Sequence, residues 1–382
     1  MANIDNSEIH DSKVIIAIKS LYLFICFFLG VCGNSIVIIA IIKNKKLQTI
    51  TNCFVLNLAI TDLLFAVCEI PTIIFTTISK KWLLGRFVCD GVGFLNSLFC
   101  TTSIWTLVMI SINRYFNVAK ATQVKSLYTK KRTILIIIGV WMFSAIISFP
   151  PLVGWSEFKS GSNFCTINGK KSLSYSIFIA LIAYILPSLF LSTLYLRIFF
   201  MLYRHEKTKM RGKINTVEFS EPIDAALLSF DNESASSVHY QTVNGKITSY
   251  DKKVLNYYCK YKKDVAISNN IENLSVNRNT TNPEILNARE NNKKRAIKKY
   301  FKEVRVTKML MILVLCFFFC WTPVFVGSML YSFNLDLKGF QVATFGIMCA
   351  CLNCVLNPLI YSIMNRSFQK CVIQMWKTIA LR

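Results

Sequence analysis

Seven stretches of apolar residues, near 14–42, 52–78, 88–112, 133–155, 173–203, 306–333 and 340–364, restrict what this chain can fold into more than any other feature. A bilayer core about 30 Å thick is crossed by about 20 apolar residues, and lipid obliges each crossing segment to satisfy its own backbone hydrogen bonds. The chain is therefore read as all-α and membrane-embedded, a bundle of seven transmembrane helices. Composition agrees, because 53% of the residues are hydrophobic and only 17% are charged, too few to cover soluble domains of this length.

A net charge of +24 raises nucleic acid as a partner, and the placement of the charge argues against it. Lys43, Lys45 and Lys46, then Lys120 to Arg132, then Lys293 to Arg305 fall between alternate spans. That is the positive-inside pattern of cytoplasmic loops. It puts the amino terminus outside, with 1–13 as an outer tail of a multi-pass membrane protein. The tail shows no apolar segment with a small-residue cleavage site, so the first helix is expected to act as its own insertion signal.

Helices one to five occupy 14–204 and helices six and seven 301–364, separated by a loop, 205–300, rich in Asn, Lys and Ser and expected to be largely disordered. At its end, Ile297, Tyr300, Phe301 and Val304 recur at helical spacing and should carry the sixth helix into the cytoplasm. In 365–382, Phe368, Val372, Met375 and Trp376 alternate with Arg366, Lys370 and Lys377, as in a short amphipathic helix lying along the membrane. Cys371 on that helix is open to two readings, acylated or buried.

Each span also carries a polar or proline landmark. In order these are Gly33-Asn34 with Val37, Leu58-Ala59-Ile60-Thr61-Asp62, Cys89 with Asn113-Arg114-Tyr115, Trp141, Pro187 with Tyr195, Cys320-Trp321-Thr322-Pro323, and Asn357-Pro358-Leu359-Ile360-Tyr361. Singly, a proline in a membrane helix is a kink and a tryptophan an interface anchor. All of them in register resemble the rhodopsin-class G protein-coupled receptors, nearest to the melatonin, opsin and amine-receptor branches. That resemblance implies a place in the plasma membrane, with the tail 1–13 extracellular.

The resemblance implies a disulfide between Cys89 and Cys165, and a sodium cavity lined by Asp62, Asn34, Ser103, Asn353 and Asn357, a set of oxygen donors suited to a hard cation. A carboxylate in mid-span costs about 3 kcal/mol unpartnered. It also implies that Arg114 bonds Glu303 of the sixth helix at rest and a heterotrimeric G protein when active. Tyr115 adjoins that arginine, Tyr195 and Tyr361 swing inward on activation, Ile104, Pro187 and Phe317 form a packing switch beneath the ligand pocket, and Pro323 and Pro358 are counted among the switch residues. One residue departs from the pattern: the usual acid before the arginine is Asn113, which hydrogen-bonds without charge.

The ligand is less legible. A retinal receptor needs a seventh-helix lysine, and that slot is Cys351, so no retinal is expected. An aminergic receptor needs a third-helix aspartate, and that slot is Asn96. The inferred pocket, Asn96, Ser97, Cys100, Ile179, Ala183, Trp321, Val324, Phe325 and Cys351, is mostly apolar with neutral polar anchors. It suits a small uncharged or weakly polar ligand such as an indoleamide or a lipid, with an amine-like or peptide ligand as the alternative. The partners implied are that extracellular ligand, the G protein, membrane lipids, arrestin and receptor kinases, and no nucleic acid.

Two other classes compete with a receptor. A transporter should show internal repeats and a continuous polar path, whereas the polar residues here converge on Asp62. An enzyme is least supported, since all three histidines, His10, His205 and His239, lie outside the spans.

Overall fold

The computed structural model describes residues 13–119, 128–160, 164–217, 283–333 and 339–380. Seven spans among them are long and apolar enough to cross a membrane. The first is α1 (Lys13–Lys43), and the second is made of α2 (Ile50–Cys68) and α3 (Ile70–Ser79). The third and fourth are α4 (Gly85–Ala119) and α5 (Lys130–Ser148), and a hairpin of β1 (Phe158–Ser160) and β2 (Cys165–Ile167) follows. The fifth span joins α6 (Leu173–Ala180) to α7 (Leu186–Val217), the sixth lies in α8 (Pro283–Ser332), the seventh in α9 (Gly339–Met364), and α10 (Arg366–Ala380) comes after it.

Helix starts follow local chemistry. Thr49, Thr129 and Ser172 accept a hydrogen bond at 3.3 Å from the backbone N–H three residues on, capping α2, α5 and α6. Asn365 Oδ1 does the same for α10, accepting from Ser367 and Phe368. The breaks have causes too. Pro71 stands just inside α3, where the second span bends at Glu69. Pro187, which has no N–H to offer, follows a π turn at Leu181–Ile185. Trp105 Nε1 donates to the Ile182 carbonyl within that turn at 3.2 Å.

Polar side chains bind the spans to one another while apolar ones face outward, Phe319 and Ile146 being about two-thirds exposed. Trp141 donates to Asn57 Oδ1 at 2.9 Å and Asn57 Nδ2 donates to Thr106 at 2.8 Å, linking α5, α2 and α4. At the opposite side Gly346 of α9 has no room for a Cβ, which would stand 2.6 Å from the Val324 backbone nitrogen. The seventh span therefore rests directly on the sixth beside Pro323.

The long loop departs from expectation at its edges. Helix α7 runs on to Val217 and α8 begins at Pro283, taking in the basic stretch expected to extend the sixth helix. The middle of the loop, 218–282, and most of the amino-terminal tail lie outside the described residues. The chain divides by contacts into Met1–His205 with Tyr300–Arg382, and Glu206–Lys299. The first of these units holds the seven spans.

Candidate functional site

At the outer end the Cys89–Cys165 disulfide, with an S–S distance of 2.05 Å, ties the hairpin to the top of α4. Phe158 of the hairpin is fully buried where Gly93 leaves space, since a Cβ there would fall 2.4 Å from the ring. Glu157, outside the membrane, accepts hydrogen bonds from Lys171 and Asn168, both at 2.8 Å. The Lys171 bond first, then that from Asn168, holds its carboxyl below the usual value of 4.5.

Beneath this cap is a cavity whose empty space, counted out to its mouth, is about 680 Å³. Asn96, Ser97 and Cys100 from α4, Ile179 and Ala183 from the fifth span, and Trp321, Val324 and Phe325 from the sixth all line it. Hairpin residues Thr166 and Ile167 close it from above, and Ser176, Ser328 and Ser332 add hydroxyls. Cys351 is the exception among the expected pocket residues. It is fully buried and does not line the cavity, its thiol lying in the corner near Cys26 and Glu69.

Trp321 forms the inner end of the cavity, stacked on Phe317 at 5.9 Å between ring centroids and met edge-on by Phe65 at 6.3 Å. Ile104 and Phe317 are both buried, and so is Pro187. Tyr184 stacks on Phe325 at 4.4 Å and hydrogen-bonds Thr322, so the fifth and sixth spans are joined beside the same tryptophan.

Deeper, Asn357 Nδ2 donates to Asp62 Oδ2 at 2.6 Å, and Asn34 Nδ2 donates to the Gly30 and Cys354 carbonyls at 2.8 and 2.9 Å. Ser103 and Asn353 are buried. The amide oxygens of Asn34 and Asn353 accept no hydrogen bond. One carboxylate together with orphaned neutral oxygens is a donor set that fits a hard monovalent cation.

At the cytoplasmic end Arg114 donates through Nη2 to Thr51 Oγ1 at 2.5 Å, and Thr51 donates to Asn113 Oδ1 at 2.8 Å. Asn117 Nδ2 donates to the same Asn113 oxygen at 3.1 Å. A neutral hydroxyl on α2 thus stands between the arginine and the amide that replaces the acid. The side chain of Glu303 lies outside the described residues, so the expected Arg114–Glu303 contact does too. The hydroxyl of Tyr361 is buried without a hydrogen-bond partner among the described residues, and that of Tyr195 is buried beside Ser111. Tyr115 packs edge-on against Phe116 at 5.8 Å. Cys371 is buried, its thiol 3.8 Å from the Ala40 carbonyl, which favours packing over acylation.

Sequence reasoning missed Thr51, Gly346 and above all Glu69. The last is an acid seven residues after Asp62 in the same apolar run, and a count of acids within spans would have shown it.

An outer cavity closed by a disulfide-tied hairpin, a tryptophan beneath it and an arginine cluster at the cytoplasmic end define a seven-helix receptor. A family model described as seven-transmembrane receptor (rhodopsin family) matches residues 33–361, and the chain belongs to that family. It is 27% identical to an alpha-1A adrenergic receptor of Oryzias latipes over 95% of this chain and 67% of that protein. It is 35% identical to melanopsin-B of Xenopus laevis over 47% of this chain and 34% of that one. The crystal structure of squid rhodopsin shares the fold, with a TM-score of 0.69 and 23% identity over 97% of this chain and 87% of that one.

Proposed function

We propose that this receptor takes a small extracellular ligand with an apolar body and a single polar end into the cavity above Trp321, and passes the event to a heterotrimeric G protein at Arg114. The observation that carries this reading is the continuity of packing. Trp321 is at once a wall of the cavity and the stacking partner of Phe317, which lies one turn before it on the same helix, the one that carries Pro323. A ligand shifts such an equilibrium only through different contacts in its two states. A displaced Trp321 would reach the cytoplasmic half through Phe317.

The buried hydroxyl of Tyr361, unpartnered among the described residues, fits a resting arrangement, because a buried donor without an acceptor is held at a cost that a second arrangement can relieve. Asp62 and Asn357, with the free oxygens of Asn34 and Asn353, would hold a sodium ion, which supplies charge compensation for the carboxylate. The expected uncharged ligand rested on a pocket without an acid, and Glu69 beside Asn96 alters that premise. Alpha-1A adrenergic, 5-hydroxytryptamine and tyramine receptors among the relatives add weight to an amine-like ligand. Arrestin and receptor kinases are proposed as further cytoplasmic partners on the family resemblance.

The test is guanine-nucleotide exchange on G proteins in membranes containing the full chain. Arg114→Ala should abolish basal and ligand-driven exchange at unchanged receptor level, whereas exchange that survives the substitution rules out this coupling site.

A further inference from the structure

Glu69 has no role in the switch described above, yet it is 1% exposed within the second span. A carboxyl there is costly and is retained where it meets a partner or a ligand. Its carboxyl faces the Asn96 side chain at hydrogen-bonding reach, while Oε1 has no hydrogen-bond partner. Asn96 in turn lines the cavity. The acid therefore stands one side chain behind the cavity wall with an unused oxygen.

Its neighbours sharpen the point. Glu69 lies beside Asn96 and near Cys351, the two slots in which the resemblance leads one to look for a charged ligand anchor, and both are neutral here. One turn earlier on the same span, Phe65 meets Trp321 edge-on. A group that engages Glu69 thus also bears on the tryptophan at the cavity's inner end. Among the described residues the remainder of the lining is apolar or hydroxylic, with no basic side chain, so none of them sets a cation against the acid from that wall.

We propose that Glu69, presented by Asn96, is the anionic anchor for a ligand carrying a protonated primary amine on an apolar, aromatic body. The carboxylate pairs with the ammonium as Asn96 turns its amide oxygen toward the same group, so both polar atoms of the corner are used. An ammonium accepted by one carboxylate and one amide oxygen has most of its three donors satisfied, and the aromatic body fills the space between Phe325, Ile179 and Trp321. This inference rests on the receptor reading for its cavity, but not on G protein coupling.

Purified full-length receptor in detergent is melted with tyramine, tryptamine or phenethylamine and with the N-acetyl derivative of each, and affinity is read from the concentration dependence of the stabilisation. At least one amine should stabilise the receptor and its N-acetyl partner should not. Glu69→Gln should weaken that amine at least about thirty-fold with little change in ligand-free melting. Asn96→Asp added to Glu69→Gln should restore much of the binding by returning an acid to the corner. If Glu69→Gln does not fold, Glu69→Asp keeps the charge and should keep the discrimination between amine and amide.

No stabilisation by any of the amines overturns the proposal. So does equal binding of amine and N-acetyl compounds, amine affinity unchanged in Glu69→Gln, or loss of discrimination in Glu69→Asp. Exchange measured in parallel separates the two readings. Neutral compounds that drive exchange leave the receptor standing and the anchor disproved, while Glu69-dependent binding without exchange does the reverse.

Discussion

Two buried carboxyls on the second span, Asp62 and Glu69, are seven residues apart. That is two turns less about 20° of helix, so they share a face. Asp62 receives a 2.6 Å hydrogen bond from Asn357 across the bundle, next to asparagines with free oxygens. Glu69 meets the amide of Asn96, at the edge of the outer cavity, with Cys351 nearby. The first is one of the landmarks that carry the family resemblance, and the second is not among them. In the proposed function the inner acid serves the switch and the outer one the recognition of ligand.

The strongest way to break that division is to remove the inner acid. Asp62→Ala leaves the Asn357 amide buried with one donor unpaired, a cost of about 1–3 kcal/mol, and should lower the melting temperature and abolish ligand-driven exchange. Asp62→Asn is the sharper variant, since it keeps an acceptor and loses the charge. Replacing choline by sodium in the buffer should stabilise the native receptor and Glu69→Gln alike, and leave Asp62→Asn unmoved. A sodium response that vanished with Glu69 instead would reverse the assignment.

The inner acid was legible in the sequence and the outer one was not, for a physical reason. The bilayer fixes the length and polarity of every span, so seven helices and the landmarks at matching depth, Asn34, Asp62, Arg114, Trp141, Pro323 and Pro358, can be read without coordinates. Eight expected cavity residues line one space because their register follows from Cys89, Pro187 and Pro323. Glu69 escaped because matching landmarks inspects only positions that have a counterpart. Its partner lies 27 residues away on another helix, too far for any local spacing to show. Cys351 stands off the cavity because helical register gives a face but not which neighbour covers it, and here the corner beside Cys26 takes the thiol. Thr51 could not be anticipated either, since its bond to Arg114 spans 63 positions.

A third position tests what an added acid does. Asn113 Oδ1 accepts from Thr51, while its Nδ2 has no partner. Asn113→Asp therefore keeps the acceptor, deletes an unpaired donor and gives Arg114 a charge to hold. Ligand-free exchange should fall a few-fold, on the order of 1 kcal/mol toward the resting state, with ligand affinity at the outer cavity unchanged. Basal exchange equal to that of the native receptor would show that the missing charge does not set resting activity.

The smallest effect is expected from Glu157, an acid in water rather than lipid. Hydrogen bonds from Lys171 and Asn168 lower its pKa in the folded state below 4.5. Their contribution is accordingly complete above the unfolded value and lost as pH falls through the folded one. Water screens the pair, and the Cys89–Cys165 bridge holds the hairpin whether or not the ion pair forms. Between about pH 5 and about pH 3 the melting temperature should drop slightly more in the native receptor than in Glu157→Gln, measured in detergent with the disulfide intact. A steep loss that persisted in the variant would show that Glu157 and its partners do not set the acid sensitivity of the receptor.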